Sequence, residues 1–161
     1  MVMVMFSFVF VSPCLAKQVS SRIMPGVKAL IEQHNKAFNA QDLKGVMMTY
    51  ASGRDTFLMG TGPDEAYVGD EGIAGAYNHF FTRFEPNSMS FKYDWICAGS
   101  SGNCAWFAVT TTMEGTVDKE KKNVAFNMSG TLRKEKGRWR FVSLHFSRLG
   151  AGQHMAVEPP K

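Results

Sequence analysis

The second half of the chain alternates. From Met89 to Cys97 the order is Met-x-Phe-x-Tyr-x-Trp-x-Cys, with a large or apolar residue at every second position. A period of two is the pitch of a strand and puts one side-chain set on each face of a sheet. Cys104 to Glu114, rich in Trp, Phe, Val and Thr, is a second such run, followed by Val124 to Lys134 and Arg138 to Arg148. The last two are joined by Lys136-Gly137, a hairpin turn. A chain that ends this way builds an antiparallel sheet, and its first half must supply the cover.

That first half reads as helical. Val27 to Ala40 carries Val27, Leu30, Ile31, Ala37 and Phe38 at helical spacing. Asp42 is an N-cap for a second helix, Leu43 to Tyr50. Thr56 to Met59 is a short strand, Gly60 to Asp64 a loop, and Tyr67-Val68-Gly69 extended. Asp70 caps a third helix that runs to about Phe84, with an inner stripe of Ile73, Ala76/Tyr77, Phe80 and Phe84, and Glu85-Pro86-Asn87 stops it. Helices first and strands afterwards define an α+β domain with an antiparallel sheet. At 161 residues, 45% hydrophobic, the chain holds one core and no internal repeat.

The ends read differently. Residues 1–16 have the pattern of a signal peptide: an apolar run from Val2 to Val11, a break at Pro13, and small residues around Cys14-Leu15-Ala16. No Lys or Arg precedes the run. Export, periplasmic or secreted, is the expectation, with no stable membrane insertion after the signal is removed; a lipid-anchored Cys14 is the variant. Residues 17–26 are a lead-in and 152–161 a flexible tail. The net charge of +4 is scattered over Lys119–Lys122 and Arg133–Arg140 among acids and aromatics. Solvated strand ends explain it, and no nucleic-acid partner is expected. Cys97 and Cys104 flank Ala-Gly-Ser-Ser-Gly-Asn; a hairpin centred on Ser100-Ser101 sets them opposite each other, as a disulfide or as two small buried thiols. His34, His79, His145 and His154 lack metal-ligand spacing, and no phosphate loop, nucleophile elbow or dinucleotide fingerprint is present. Neither a metal nor a cofactor is expected.

Register assigns the faces. Pairing Lys134 with Trp139 puts Ser129 opposite Leu144 and Asn127 opposite Phe146. One face then holds Asn127, Ser129, Thr131, Val142, Leu144, Phe146 and Arg148; the other holds Phe126, Met128, Leu132, Trp139, Phe141, Ser143, His145 and Ser147. Both are substantially apolar. Helices cover one, and a second subunit is the natural cover for the other, so a homodimer is expected.

Two phrases carry a resemblance. Phe38-Asn39-Ala40-Gln41-Asp42-Leu43-Lys44-Gly45-Val46 resembles the junction between the first two helices of nuclear-transport-factor-2-like domains. Gly137-Arg138-Trp139-Arg140-Phe141-Val142-Ser143-Leu144-His145-Phe146-Ser147 resembles the last strand of SnoaL-like proteins and of the calcium/calmodulin-dependent kinase II association domain. The resemblance covers residues 27–151. It implies a cone-like roll of three helices on a curved sheet, a pocket between them, and dimers. It leaves function open, because that superfamily includes isomerases, cyclases, dehydratases, adaptors and scaffolds.

In the ketosteroid-isomerase-like members the helix-side face is the one Ser129 and Phe146 would occupy here. That implies a pocket lined by Asn127, Ser129, Phe146 and Arg148, with Phe38, Tyr77 and Trp95 as walls. His34 lies on the inner stripe of the first helix, where the isomerases keep their oxyanion tyrosine. It reads as a proton donor or acceptor, or as a core histidine with one partner. Arg148 resembles the association domain's pocket arginine and suits a carboxylate, or is an exposed strand end. Where an isomerase keeps its base this chain has Leu58, Met59 and Gly60, and Ser129 stands where the protonated acid is expected. The sequence thus points to a pocket for a small, partly apolar, carboxylate-bearing molecule, with a simple acid/base step at His34. A self-associating module using the Trp139/Phe141/His145 face, and a full isomerase or dehydratase, are the alternatives. Catalysis itself stays open.

Overall fold

A computed structural model describes residues 22–149. The expected signal segment, the first half of the lead-in and the tail lie outside the described residues. The elements are α1 (Met24–Asn39), α2 (Leu43–Met47), β1 (Phe57–Met59), β2 (Ala66–Val68), α3 (Gly69–Phe81), β3 (Ser90–Ser101), β4 (Cys104–Val117), β5 (Glu120–Glu135) and β6 (Arg138–Arg148). None of these helices is long and apolar enough to cross a membrane.

α1 opens with Pro25 in its first turn, where the missing N–H costs nothing. It buries Val27, Leu30, Ile31, His34 and Ala37, one stripe at helical spacing. The junction after it is held by its own polar residues. Asn39 accepts from Met89 N and donates to Met89 O, tying the end of α1 to the start of β3. Gln41 stands at φ 55° and donates to the carbonyls of Phe81 and Phe84, closing the end of α3. Asp42 caps α2 by accepting from Gly45 N.

The sheet has six strands in the order β2-β1-β6-β5-β4-β3. β1 runs parallel to β6, and the other neighbours are antiparallel. The helices cover one face, where Val109, Met128, Leu132, Phe141 and Leu144 complete the core.

Two bulges set which residues reach that face. Lys134 does pair with Trp139, but Leu132 pairs with Phe141 and Thr131 with Ser143, so Val142 is an extra residue on β6. Beyond it the register has slipped by one: Ser129 faces His145, and Met128 faces Phe146. A one-residue slip reverses the faces of a strand relative to its partner. The inner face of the last hairpin therefore mixes the two expected sets: Phe126, Met128 and Leu132 from β5 with Trp139, Phe141, Leu144, Phe146 and Arg148 from β6. Asn127 and Ser129, expected in the pocket, lie on the outer face. Trp139 and Phe141, expected on that outer face, pack under the helices; a Cβ on Gly26 of α1 would lie 2.9 Å from the Trp139 ring. The second bulge, at Asp94 in β3, separates the pairs Tyr93–Thr111 and Trp95–Thr110. It sends Trp95, expected as a pocket wall, to the outer face, 55% exposed.

The β3–β4 turn also differs from expectation. It falls at Gly102-Asn103, with Gly102 at φ 57°, so Ser101 pairs with Cys104 and Cys97 with Ala108. Cys97 is thus offset from Cys104 by four residues along the ladder, about 13 Å, beyond disulfide reach. Both cysteines are free.

Candidate functional site

Between the inner face of the sheet and the helices lies a cavity of about 360 Å³, within the size range of small-molecule sites. Its walls are aromatic and aliphatic: Phe38 from α1, Phe80 and Phe84 from the α3 region, Phe91 from β3, and Phe126, Met128 and Phe146 from β5 and β6. A larger groove of about 880 Å³ runs between α2, the start of α3 and the β5–β6 turn. Its walls mix Met47, Met48 and Ala74 with the charged Lys44, Asp70, Glu71, Lys136, Arg138 and Arg140. The smaller cavity is the candidate site, because there apolar and aromatic walls meet a buried polar chain that includes His34.

That chain begins in the core. The Tyr50 and Tyr77 hydroxyls are 2.8 Å apart, and Tyr77 Oη lies 2.7 Å from His34 Nε2. His34 Nδ1 lies 3.2 Å from Asn35 Oδ1, and Asn35 Nδ2 donates to Tyr93 Oη at 2.8 Å. The polarity follows from Asn35. Its Nδ2 is directed to Tyr93, so its carbonyl oxygen faces the imidazole, and a carbonyl only accepts. Nδ1 therefore carries the proton. Nε2 is then an acceptor, Tyr77 donates to it, and Tyr50 donates to Tyr77. Every hydrogen-bonding atom in the buried part of the chain is satisfied, as burial demands.

Burial keeps this chain neutral. His34 is 3% exposed. Loss of solvation lowers its pKa to about 4, only partly opposed by the Asn35 hydrogen bond. The Tyr77 and Tyr50 phenols are both pushed upward by the same loss of solvation. The His34 ring stacks on Phe38 and meets Phe141 edge-on, with centroids 6.3 and 5.7 Å away. At neutral pH it is thus a fixed, uncharged imidazole with Nδ1–H turned toward Asn35.

The cavity mouth is charged. Arg83, at the end of α3, donates to both Asp118 oxygens at 3.3 and 2.8 Å, and this bond holds the Asp118 carboxyl below its ordinary range. Lys122 pairs with Glu120. Glu65 lines the cavity, but its Oε2 accepts from the N–H groups of Thr61 and Gly62 and so closes its own loop. Arg148 also lines the cavity, and it has no ion partner among the described residues.

Of the residues expected at a pocket, His34, Phe38, Tyr77, Phe146 and Arg148 line this cavity. Trp95, Asn127 and Ser129 do not. Asn35, Thr111, Lys122 and Phe126 line it without having been expected. Phe126 and Lys122 are inner-face residues of β5, legible only with the bulge in hand. Asn35 precedes no motif; only its place beside His34 pointed to it. Among the described residues no group of His, Cys, Asp or Glu is arranged to hold a metal ion.

A six-stranded bent sheet under three helices, with a cavity between them, is the cone of the nuclear-transport-factor-2-like fold. The chain belongs to the SnoaL-like domain family, whose model matches residues 27–151. Solved structures agree on the fold. A nuclear transport factor 2-like superfamily protein from Salmonella enterica serovar Typhimurium superposes with a TM-score of 0.71 at 15% identity, over 84% of this chain and 97% of that one. A ketosteroid isomerase-like protein from Erwinia carotovora atroseptica is 25% identical, with a TM-score of 0.64 over 81% of this chain and 99% of that one. A protein from Xanthomonas campestris assigned to the calcium/calmodulin dependent protein kinase II association domains is 22% identical, with a TM-score of 0.66 over 76% and 85% of the two chains. No curated protein matches the chain.

Proposed function

We propose that this domain binds a small, largely apolar molecule that carries a carboxylate, with the apolar body in the cavity and the carboxylate at Arg148. The observation that carries this reading is the charge at the mouth. Arg83 and Lys122 are each matched by an acid, while Arg148 lines the cavity with no ion partner among the described residues. A guanidinium so placed suits a planar carboxylate through two parallel hydrogen bonds. The test is thermal unfolding in the presence of a panel of aryl and alkyl carboxylates and their amides. A carboxylate-dependent rise in Tm that disappears in Arg148→Gln supports the reading. No shift with any carboxylate, or equal shifts with the amides, removes it.

A simple acid/base step at His34 is the catalytic extension. The full isomerase reading has less support: β1 offers Leu58 and Met59, and Glu65 is committed to its loop. Self-association is a second reading, favoured by the outer face of the sheet, where Trp95, Trp106, Met59, Phe57 and Val68 are 55%, 52%, 44%, 37% and 63% exposed. They stand towards both edges of that face, which no described residue covers, and exposed large apolar side chains suit an interface.

A further inference from the structure

The larger groove holds charges of both signs that do not meet. Lys44 comes from α2, and Lys136, Arg138 and Arg140 come from the β5–β6 hairpin. Asp70 and Glu71 come from the first turn of α3. Among the described residues none of these six side chains takes part in an ion pair. Elsewhere on the surface opposite charges within reach of one another do pair, as Arg83 and Asp118 do. Here the two signs share one groove and stay apart, on different elements.

Arg140 shows this most clearly. It is half-buried and stands directly opposite Arg133 in the β5–β6 ladder, where like charges repel. The acceptors nearby serve Arg133. Glu135 lies 2.8 Å from its Nη2, Asp55 lies 3.8 Å from its Nη1, and the Ser52 carbonyl accepts from Nη2 at 3.1 Å. Glu135 lines the groove too, so the acid of the hairpin side is already engaged. Arg140 is thus held beside a second guanidinium, at some cost in stability, with no acid of its own among the described residues. The uncharged lining is mostly apolar. Met47, Met48 and Ala74 contribute to it, and Met48 is 48% exposed. Methionine is unbranched and polarizable, and adapts to apolar groups of varied shape.

We propose that this groove is a second binding site, for short apolar peptides in their zwitterionic form. The terminal carboxylate pairs with Arg140 and Arg138, the terminal ammonium with Asp70 and Glu71, and the apolar side chains lie on Met47, Met48 and Ala74. Charge complementarity selects this occupant. A purely anionic ligand would meet Asp70 and Glu71, and a purely cationic one would meet four basic side chains. A single amino acid would leave most of the 880 Å³ unfilled. The groove shares no lining residue with the cavity of His34 and Arg148, so this site stands apart from the reading of that cavity.

The probes are Leu-Ala, Leu-Ala-Leu and Leu-Ala-Leu-Ala, each free, N-acetylated and C-amidated, followed by titration calorimetry. At least one free peptide should bind, and capping either end should weaken it by about ten-fold, the worth of one charge-assisted hydrogen bond. Arg140→Gln should weaken the free peptide as amidation does, and leave the affinity of the amide unchanged. Asp70→Asn combined with Glu71→Gln should do the same for the acetylated form. Arg140→Gln should also melt no lower than wild type, because it removes a repulsion with Arg133. Arg148→Gln, in the other cavity, should leave peptide binding untouched. The proposal is overturned if no free peptide binds, or if free and capped forms bind equally. It is equally overturned if Arg140→Gln lowers Tm, which would make Arg140 a structural residue, or if Arg148→Gln removes peptide binding.

Discussion

His34 makes the fold sensitive to acid. Its pKa is lowered to about 4 by burial, against an ordinary value of 6.5. Above pH 6.5 the residue is neutral in both folded and unfolded chains, and its contribution is fully present. Below that the unfolded chain takes up a proton that the folded chain refuses, so stability falls as the pH drops and the loss levels off near pH 4. The accumulated loss is roughly 3 kcal/mol at 1.36 kcal/mol per pKa unit. Urea unfolding at pH 7 and pH 4 should show wild type losing more stability than His34→Gln, whose amide does not titrate. Equal losses would mean that His34 stays solvated. A second outcome concerns Tyr77, the middle of the chain. Tyr77→Phe leaves His34 Nε2 and Tyr50 Oη without their partner in a buried site, at a cost of about 1–3 kcal/mol, read as a lower urea midpoint with unchanged slope.

At the scale of elements, the two hairpins show what a sequence reveals and what it conceals. The helices and strands were legible because their apolar periods differ, 3.6 against 2. The position of His34 on the buried stripe of α1 was legible for the same reason. The Lys134–Trp139 pair was legible because the turn chemistry at Lys136-Gly137 is local. The faces beyond Val142 were not. A bulge inserts one residue without altering composition, and Val142 reads like any other strand valine. Phe141 and Leu144 are both fully buried at a spacing of three, which puts both under the helices only if the strand is broken between them; that spacing is visible only after the fold is known. The turn at Gly102-Asn103 was missed because Gly99, Ser100, Ser101, Gly102 and Asn103 all suit turns, and the choice among them is made by pairing along β4. Gly130 shows how closely these strands pack. A Cβ there would lie 2.3 Å from the Ser143 carbonyl oxygen and 2.9 Å from the Phe107 ring. Gly130→Ala should therefore destabilise by about 1–3 kcal/mol, the usual cost of overpacking, and a neutral melting temperature would contradict the close approach.

For the whole molecule, the outer face decides the assembly. If Trp95 and Trp106 are covered by a second copy, sedimentation at micromolar concentration should give the mass of a dimer, and Trp106→Ser should shift it toward the single chain. A wild-type mass of one chain removes the self-association reading and leaves the cavity reading intact. One consequence of the fold is independent of that outcome. β3 is the last strand of the sheet, so among the described residues the far side of its backbone meets no other strand over Ser90–Ser101. Long bare margins of this kind recruit strands from other molecules and seed fibres. Here the extra residue at Asp94 breaks the margin near its middle, and Asp94 with Lys92, 3.3 Å apart, plants two charges beside the break. The same irregularity that turns Trp95 away from the cavity thus also guards the protein against growing, sheet onto sheet, into an aggregate.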